Sequence, residues 1–381
     1  MKILYYHWGE NSRDDCVETM ERLGHSVHVW SMTMGNYASD PVFLETLDKK
    51  LRKEGYDIIF SFDYFPLLSV SALDHKMPYI SWVYDSPHLP LESETLRNPV
   101  NRVFVFDYAL AAHYISEGFE RVEYMPLPVN VKRLDAMLSG NRSSYSHEIS
   151  FVGSLYTGEY NFYDQIGYLP DFIKGMLDGV IDAQERVYGV DLLPFVMTDS
   201  FCDEMGKYVK ADLGPGFRNA RNRIFMNMVR KKVTENERKR LLTLAGEKFN
   251  LDLYSGSKLD GKMPVRYMGT VDYMRGMPRV FSESRINLNI TLRSILTGIP
   301  LRVVDIMGAG GFCLTNFQQE MAEYFENGRE IVWFDSAEDM LDRMAYYLSH
   351  DSEREEIARA GHEAAARMFS YDVLLPKVLG D

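Results

Sequence analysis

Short apolar runs alternate with longer amphipathic stretches through the first third of the chain. The run at residues 3–6 leads into Trp8-Gly9, and a helical pattern over residues 13–23 stops at Gly24, a residue type that often ends helices. Further strand-length runs follow at residues 27–30, 56–60, 79–83, 102–106 and 122–125. Strands that are apolar on both sides and separated by helix-length segments indicate a parallel sheet covered on both faces.

The pattern breaks at Met125-Pro126-Leu127-Pro128, and residues 139–146 are polar and rich in Gly, Ser and Asn. Strand-like runs resume at residues 149–152, 251–254, 265–268, 286–290, 312–315 and 331–334, while residues from about 160 to 250 are mostly helical in pattern. The sequence therefore predicts an α/β protein of two Rossmann-like, doubly wound domains facing a cleft, over residues 1–145 and 146–370. The second domain contains the helical insertion, and a terminal helix over residues 371–381 can cross back to the first.

Composition narrows the classes of function. The 381 residues are 46% hydrophobic and carry a net charge of −13, which argues against a nucleic-acid binder. Residues 217–240 oppose that trend with nine Lys or Arg. This stretch is either a solvated helix face or a patch that attracts a polyanionic acceptor or a lipid headgroup.

The three cysteines, Cys16, Cys202 and Cys313, are far apart, which fits a reducing compartment and offers no metal-ligand spacing. The apolar run at the N-terminus is too short for a signal peptide, because polar residues follow it too soon. No run approaches the ~18 apolar residues of a membrane helix. We therefore expect a cytoplasmic protein with no transmembrane segment.

The densest chemical signal lies in residues 287–316. A polar loop containing Arg293 leads into a helix that begins near Arg302 and ends at a glycine-rich turn with Gly310 and Gly311. Backbone N–H groups at a helix N-terminus can hold a diphosphate, and Arg293 or Arg302 can add charge-assisted bonds. Asp305 could accept hydrogen bonds from both hydroxyls of a ribose. The alternative is that Asp305 bonds locally and the glycines only allow close packing.

A loop after the first strand of the second domain, residues 153–158, is rich in small residues. The backbone at Gly153 could approach a phosphate, Ser154 could donate to it, and Tyr156 lies in the same loop. A plain turn between a strand and a helix explains the segment nearly as well.

The segment Trp82–Leu89 (WVYDSPHL) follows a predicted strand of the first domain. Asp85 and His88 are candidate catalytic residues, because removing a proton from a hydroxyl needs a titratable group within hydrogen-bond reach. The alternative is a turn in which Asp85 bonds its own backbone and His88 lies at the surface. His7 and Gly9, after the first strand, are predicted on the acceptor side. Asp63 and Asp107 occupy similar strand-end positions.

Several of these segments resemble one family. Residues 286–370 resemble the C-terminal half of the group-one glycosyltransferases, in the spore-maturation-type branch, through a pattern of R-x-x-(E/D)-x-M-x-x-G-G, a strand, and T-N. Here it is formed by Arg302, Asp305, Met307, Gly310, Gly311, Thr315 and Asn316, with a later helix that includes Ser352-Glu353-Arg354 and Gly361. Residues 79–88 and Val105-Phe106-Asp107 resemble the partner domain.

The resemblance implies the GT-B fold, with a nucleotide-sugar donor, first of all a UDP-sugar, bound by the C-terminal domain. It requires no bound metal and no cofactor, since the nucleotide-sugar is a substrate. One departure concerns the E-x(7)-E motif of many members: Asp305 stands at its second acidic position, and no acidic residue stands at the first.

Two functions follow from these patterns. The first is a metal-independent glycosyltransferase that moves a sugar to an unidentified acceptor, whether glycan, protein or lipid. The second is a non-catalytic protein of the same fold that binds or senses a nucleotide-sugar. The cluster of Arg293, Arg302, Asp305 and Asp85 favours the enzyme.

Overall fold

The computed structural model describes residues 1–139, 145–158, 161–259, 261 and 263–380. They form two compact units. The first comprises Met1–Pro128, Asp212–Ala220 and the segment from Phe369, and the second comprises Val129–Ala211 and Arg221–Met368.

The first unit is built on a parallel sheet of six strands in the order β2-β1-β3-β4-β5-β6. The strands are β1 (Lys2–Tyr6), β2 (Ser26–Trp30), β3 (Ile58–Phe62), β4 (Tyr79–Val83), β5 (Asn101–Val105) and β6 (Val122–Tyr124). Its helices are α1 (Arg13–Arg22), α2 (Pro41–Glu54), α3 (Pro66–Asp74), α4 (Tyr108–Ser116) and the terminal helix α15 (Tyr371–Leu379), with 3₁₀ helices at Leu89–Glu92 and Glu94–Arg97. The central strands β3 and β4 are buried along their whole length, which is why they are apolar except for one serine each, Ser61 and Ser81.

The second unit contains another parallel sheet of six strands, in the order β12-β11-β10-β7-β8-β9. The strands are β7 (His147–Val152), β8 (Leu251–Tyr254), β9 (Arg266–Gly269), β10 (Ser284–Asn289), β11 (Cys313–Asn316) and β12 (Val332–Phe334). The helices around this sheet are α5 (Val131–Leu138), α10 (Gly276–Glu283), α11 (Leu301–Gly308), α12 (Met321–Tyr324), α13 (Ala337–Ser349) and α14 (Asp351–Met368).

The predicted helical insertion is formed by a 3₁₀ helix at Phe162–Ile166, then α6 (Asp171–Gln184), α7 (Leu193–Val196), α8 (Asp199–Met205) and the long α9 (Arg221–Gly246). These elements enclose a hydrophobic core of their own, in which Leu177, Phe225 and Val229 are fully or almost fully buried. The predicted α/β class, with two doubly wound domains and a helical insertion in the second, is confirmed.

The units divide earlier in the chain than the sequence suggested, between Pro128 and Val129 rather than near residue 145. The reason is the packing of α5 within the second unit, where a Cβ on Gly308 would lie 2.6 Å from Val129 and 3.1 Å from Leu134. Arg133 also donates to the carbonyl of Met274 at 2.9 Å. Of the predicted polar linker, residues 140–144 lie outside the described residues.

Two later segments belong to the first unit. The terminal helix α15 contacts it through Tyr371, whose ring centroid lies 6.4 Å from that of Trp82, and through an ion pair between Asp372 and Arg22. Residues 212–220 were not foreseen as part of this unit. Arg218 holds them there, because its guanidinium lies 2.6 Å from both Glu92 and Glu117. None of the described helices is long and apolar enough to cross a membrane.

In each unit the strand order reverses at one point of the sheet. In the first unit this point lies between β1 and β3, and in the second it lies between β7 and β10. Ligands of such sheets bind in the crevice outside the carboxyl ends of the strands at the reversal. The loops that follow these four strands are therefore where each unit should carry its functional side chains.

Candidate active site

The loops after β3 and β4 bring together Asp63, Asp85 and His88, whose ligand atoms all lie within 4.8 Å of one another. Asp63 is 1% exposed, and its Oδ1 accepts hydrogen bonds from the backbone N–H groups of Tyr84 and Asp85 at 3.0 and 3.1 Å. His88 is held by Nε2, which donates to the carbonyl of Tyr64 at 2.8 Å. Its Nδ1 faces Oδ1 of Asp63 at 3.9 Å.

The two carboxyl groups of this cluster have raised pKa values. Burial raises the pKa of Asp63 to about 7. Asp85 is exposed on one side, yet the surrounding protein desolvates its carboxyl and, together with the charge of Asp63, raises its pKa as well. Burial lowers the pKa of His88. Two carboxyl groups that share a site cannot both ionise freely, so near neutral pH this cluster can take up or release a proton.

The catalytic role of Asp85 and His88 stays a prediction, but the structure differs from the alternative, a local turn with a surface histidine. Asp85 does not form an isolated turn, because its backbone is bonded to Asp63. His88 is not a surface residue, since its side chain is only 9% exposed. Sequence reasoning gave Asp63 too little weight. Its left-handed backbone, with φ 58°, turns the carboxyl beneath the loop after β4 and could not be read from the sequence.

The loop after β1 is organised by Glu10, which sequence reasoning missed. Its buried carboxylate accepts from Tyr5 Oη at 2.7 Å, His7 Nδ1 at 2.9 Å and the backbone N–H groups of Trp8 and Gly9 at 3.0 and 3.2 Å. Gly9 has φ +117°, which glycine adopts without strain. His7 and Gly9 line a cavity of about 440 Å³ within the first unit. Asp107, in contrast, caps α4 by accepting from the N–H of Leu110 at 3.2 Å.

The absence of a metal stays a prediction. The fold brings one imidazole and two carboxyl groups close enough to hold an ion at Asp63, Asp85 and His88. The signal was hidden because the carboxyls come from different loops.

In the second unit, Arg238 lies at the reversal point of the sheet. Its Nη1 donates to the carbonyl of Ser154, after β7, at 2.5 Å, and its Nε donates to the carbonyl of Ile290, after β10, at 3.0 Å. The residue is 7% exposed, and no carboxylate among the described residues forms an ion pair with it. A buried guanidinium that is bonded to carbonyls keeps its positive charge available to an anion.

Further cationic and aromatic groups surround Arg238. Its guanidinium carbon lies 5.1 Å from the ring centroid of Tyr156, and Nζ of Lys231 lies 5.7 Å from the same ring. The charge of Arg302 contributes to lowering the pKa of Arg238, after the larger effect of burial. Sequence reasoning missed Arg238. The available signal was its spacing on α9, since Thr234, Arg238 and Leu242 recur at intervals of four and therefore share one helix face.

Asp305 and Arg302 are both on α11. Oδ1 of Asp305 accepts from Tyr273 Oη at 3.2 Å, and Oδ2 lies 3.5 Å from Nη1 of Arg302. The Asp305 side chain is 11% exposed. These contacts orient its carboxylate toward Tyr273 and Arg302.

Arg293 has a different role from the predicted one. Its guanidinium forms a two-point ion pair with the buried Glu237, at 2.7 and 2.9 Å, and donates to the carbonyl of Val187 at 2.8 Å. The charge is thus neutralised within the protein, and the side chain ties the loop after β10 to α9. The predicted phosphate contact by Arg293 is not supported.

Three predicted donor-binding glycines also serve the fold instead. Gly310 and Gly311 lie beyond the C-terminal end of α11, where their N–H groups bond to the carbonyls of Met307 and Ile306 at 2.9 Å. A Cβ on Gly311 would lie 2.7 Å from the carbonyl oxygen of Phe281, so this position requires close packing. They lie at the opposite end of α11 from Arg302. Gly153 donates its N–H to Tyr254 at 3.0 Å and so extends the sheet.

Ser154 is bonded within its own loop, since Oγ accepts from the N–H of Tyr156 at 3.0 Å and lies 3.3 Å from Oγ of Ser257. The loop is thus a well-ordered turn whose contribution to a ligand site comes through Tyr156 and the carbonyl that anchors Arg238.

The basic stretch at residues 217–240 is neither a solvated face nor an open patch. Most of its cations form ion pairs inside the protein: Arg218 with Glu92 and Glu117, Arg221 with Asp203, Arg230 with Asp191, Lys232 with Asp164 and Glu235, Lys239 with Glu235, and Arg240 with Glu185. The helix is basic because it is surrounded by acidic neighbours.

Known proteins resemble this chain in its fold and in part of its sequence. Residues 221–379 match the family model described as "Glycosyl transferase-like". No curated protein sequence matches the chain. Solved structures are similar over almost its whole length, at an identity that establishes the fold alone.

One is Anabaena HepE in complex with UDP-glucose, with 10% identity, a TM-score of 0.55, and coverage of 100% of this chain and 98% of that one. A second is the sucrose-phosphate synthase of Thermosynechococcus elongatus, with 10% identity, a TM-score of 0.53, and coverage of 100% and 98%. A third is T4 phage BGT in complex with its UDP-glucose substrate, with 11% identity, a TM-score of 0.50, and coverage of 99% of each chain. The chain therefore has the GT-B fold, and its residues 221–379 are similar to the glycosyl transferase-like family.

Proposed function

We propose that this protein is a glycosyltransferase that moves a sugar from a UDP-sugar to an acceptor hydroxyl without a metal ion. The observation that carries the proposal is Arg238, a buried guanidinium at the reversal point of the C-terminal sheet whose charge is not neutralised by an ion pair in the described part of the chain. The resemblance of residues 286–370 to the spore-maturation-type branch supports the same activity.

The C-terminal unit supplies the donor site of this proposal. Arg238, Arg302 and Lys231 provide the positive charge that a diphosphate needs, since guanidinium groups bond phosphate oxygens strongly. Asp305 accepts hydrogen bonds from the ribose hydroxyls. UDP is the proposed nucleotide because UDP-glucose is the ligand named for HepE and for T4 phage BGT.

The N-terminal unit supplies the acceptor side and the proton acceptor. Asp85, with its raised pKa, takes the proton from the acceptor hydroxyl as that oxygen forms its bond to the anomeric carbon. The bond between the anomeric carbon and UDP breaks at the same stage, and UDP leaves with the electron pair. Asp63 and His88 position Asp85 and keep its pKa near neutral pH.

Calorimetry with UDP, GDP and dTDP tests the donor site. UDP should bind, and Asp305→Ala should weaken its binding roughly 10–150-fold, because a charge-assisted hydrogen bond contributes about 1.5–3 kcal/mol. The matched control is Asp342→Ala, an exposed aspartate on α13 of the same unit.

The same preparations, incubated with UDP-sugars, test catalysis. Release of UDP, by hydrolysis or transfer, is expected from the unaltered chain. Binding of UDP with every UDP-sugar left intact would favour the alternative, a sensor of nucleotide-sugars. Normal UDP binding by Asp305→Ala would place the nucleotide elsewhere.

A further inference from the structure

The cavity of about 440 Å³ in the first unit is lined mostly by aromatic and methionine side chains. It lies at the carboxyl ends of β1 and β2, and its walls are Tyr6, His7, Trp8, Gly9, Ser31, Met32, Thr33, Met34, Tyr37 and Phe65. Its volume falls within the range of about 300–1,000 Å³ that is usual for small-molecule sites.

The described residues that line the cavity include no lysine, arginine, aspartate or glutamate. Beneath it lies the carboxylate of Glu10, which is 4% exposed and bonded to His7, Trp8 and Gly9. An anionic ligand would find no lysine or arginine in the lining, and the one imidazole there, that of His7, already faces the carboxylate of Glu10 at 2.9 Å. The electrostatics therefore disfavour phosphates and carboxylates.

Aromatic surface dominates what remains. Trp8 and Tyr37 are 37% and 47% exposed, and both rings contact Phe65, with centroid distances of 6.3 and 5.9 Å. Ser31 and Thr33 add hydroxyl groups between the methionines. Flat apolar faces combined with uncharged hydrogen-bonding groups suit a ring that is apolar on its faces and carries hydroxyls at its edge.

Two residues that line the cavity, Phe65 and Trp8, pack against the loops of the acid–base cluster. The ring of Phe65 lies 6.4 Å from that of His88, and Trp8 stacks on Tyr84, the neighbour of Asp85, at 6.2 Å. A ligand in the cavity would therefore lie beside the residues that handle the proton.

We propose that this cavity binds the acceptor and that the acceptor is an uncharged glycosyl residue, held between Trp8, Tyr37 and Phe65. This rests on the proposed function, because it names the substrate class for the same reaction. A sugar phosphate or a phospholipid headgroup does not fit the lining.

Ligand-observed NMR with the full chain, without any nucleotide, tests the proposal directly. The probes are a panel of neutral methyl glycosides (hexosides, N-acetylhexosaminides and pentosides) at millimolar concentration, each compared with the phosphorylated sugar. At least one neutral glycoside should bind, and its phosphorylated form should bind roughly tenfold more weakly or not at all.

Tyr37→Ala should weaken the binding of the glycoside about two- to tenfold, as expected for the loss of one aromatic contact. Tyr108→Ala is the matched control, since Tyr108 is an exposed tyrosine of the same unit outside the lining. Thr33→Arg, at an exposed position of the lining, should shift the preference toward the phosphorylated sugar.

Three results would overturn the proposal: no binding by any neutral glycoside, equal or tighter binding of the phosphorylated forms, or equal effects of the two tyrosine variants. UDP affinity is measured in the same samples. If the unaltered chain binds UDP but no neutral glycoside, only the proposed acceptor class is refuted. If the unaltered chain does not bind UDP, the proposed function is refuted.

Discussion

The carboxyl edges of the two sheets differ in charge although the sheets share one architecture. In the N-terminal unit, the loops after β1, β3 and β4 carry Glu10, Asp63 and Asp85. In the C-terminal unit, the same kind of edge carries Arg238, with Lys231 close to the same tyrosine ring. A few side chains near the carboxyl edges of two similar sheets, from loops in one unit and from helix α9 in the other, thus define an acidic site and a basic one.

In both units the backbone bonds one of these groups. Asp63 accepts from the N–H groups of Tyr84 and Asp85, while Arg238 donates to the carbonyls of Ser154 and Ile290. Arg293 differs, because its carboxylate partner Glu237 cancels its charge. The backbone-bonded groups remain able to act on a ligand, whereas the ion-paired arginine stabilises the fold.

The largest expected effect concerns the acidic edge. Asp85→Asn should lower turnover about 10²–10⁴-fold, because a general base typically contributes that much and an amide cannot accept the proton. The affinity for UDP should stay nearly unchanged, since its site lies in the other unit. Steady-state kinetics and calorimetry on one preparation measure both quantities.

Asp74→Asn is the control for this variant, because Asp74 is an exposed aspartate at the end of α3. If Asp85→Asn abolished UDP binding while turnover per bound donor was unchanged, the acidic edge would be the donor site and the comparison would reverse.

The pH dependence tests the same edge in the unaltered protein. A carboxylate acts as a base only when ionised. Desolvation and then the charge of Asp63 raise the pKa of Asp85, while His88 opposes them, and burial raises the pKa of Asp63 to about 7. The value of kcat/KM should therefore be full above that pH and fall about tenfold per pH unit below it. A pH–rate profile measures this.

Asp63→Asn removes the neighbouring charge and should move this acid limb to lower pH. The effect of pH on stability has the opposite sign. Because the pKa of Asp63 is raised in the folded state, its contribution to stability is present at about pH 4 and is lost as the pH rises to about 7, so the free energy of unfolding should fall over that range. An acid limb near the ordinary carboxyl value, about pH 4, would contradict the assignment of Asp85 as the base.

The two arginines of the C-terminal unit sharpen the comparison within one sheet. Arg238→Gln should weaken UDP binding roughly 10–150-fold, because a charge-assisted bond to phosphate is lost. Arg293→Gln should leave UDP affinity nearly unchanged but lower the free energy of unfolding by about 3–5 kcal/mol, since Glu237 would remain as an unpaired buried charge. Calorimetry and urea unfolding of both variants distinguish them.

The reverse outcome, with Arg293→Gln weakening UDP binding and Arg238→Gln only destabilising the fold, would restore the sequence-based assignment of Arg293 to the phosphates and remove the observation that carries the proposed function.

Hydrophobic periodicity predicted the fold well, because parallel strands buried on both faces leave a continuous apolar signal, as in β3 and β4. The site was harder to predict. Strand-end positions identified Asp85 and His88, but Asp63 joins them through a left-handed backbone and Glu10 through bonds inside its loop. Arg293 and Gly311 were assigned to a ligand because a motif cannot show whether a side chain or an N–H group already has a partner.

The smallest effect is expected from the removal of metal ions, which should leave turnover unchanged. If phosphate charge is met by Arg238, Arg302 and Lys231, sugar transfer should survive EDTA unchanged, because guanidinium and ammonium groups replace the cation. The acidic edge makes this a demanding test, since Asp63, Asp85 and His88 have ligand atoms within 4.8 Å of one another. The measurement is turnover after chelation, with and without added Mn²⁺ or Mg²⁺, for the unaltered chain and for His88→Gln. Loss of turnover that the added ion restores in the unaltered chain but not in His88→Gln would make the acidic edge a metal site, and the contrast between the two units would then be one between a bound cation and fixed cationic side chains.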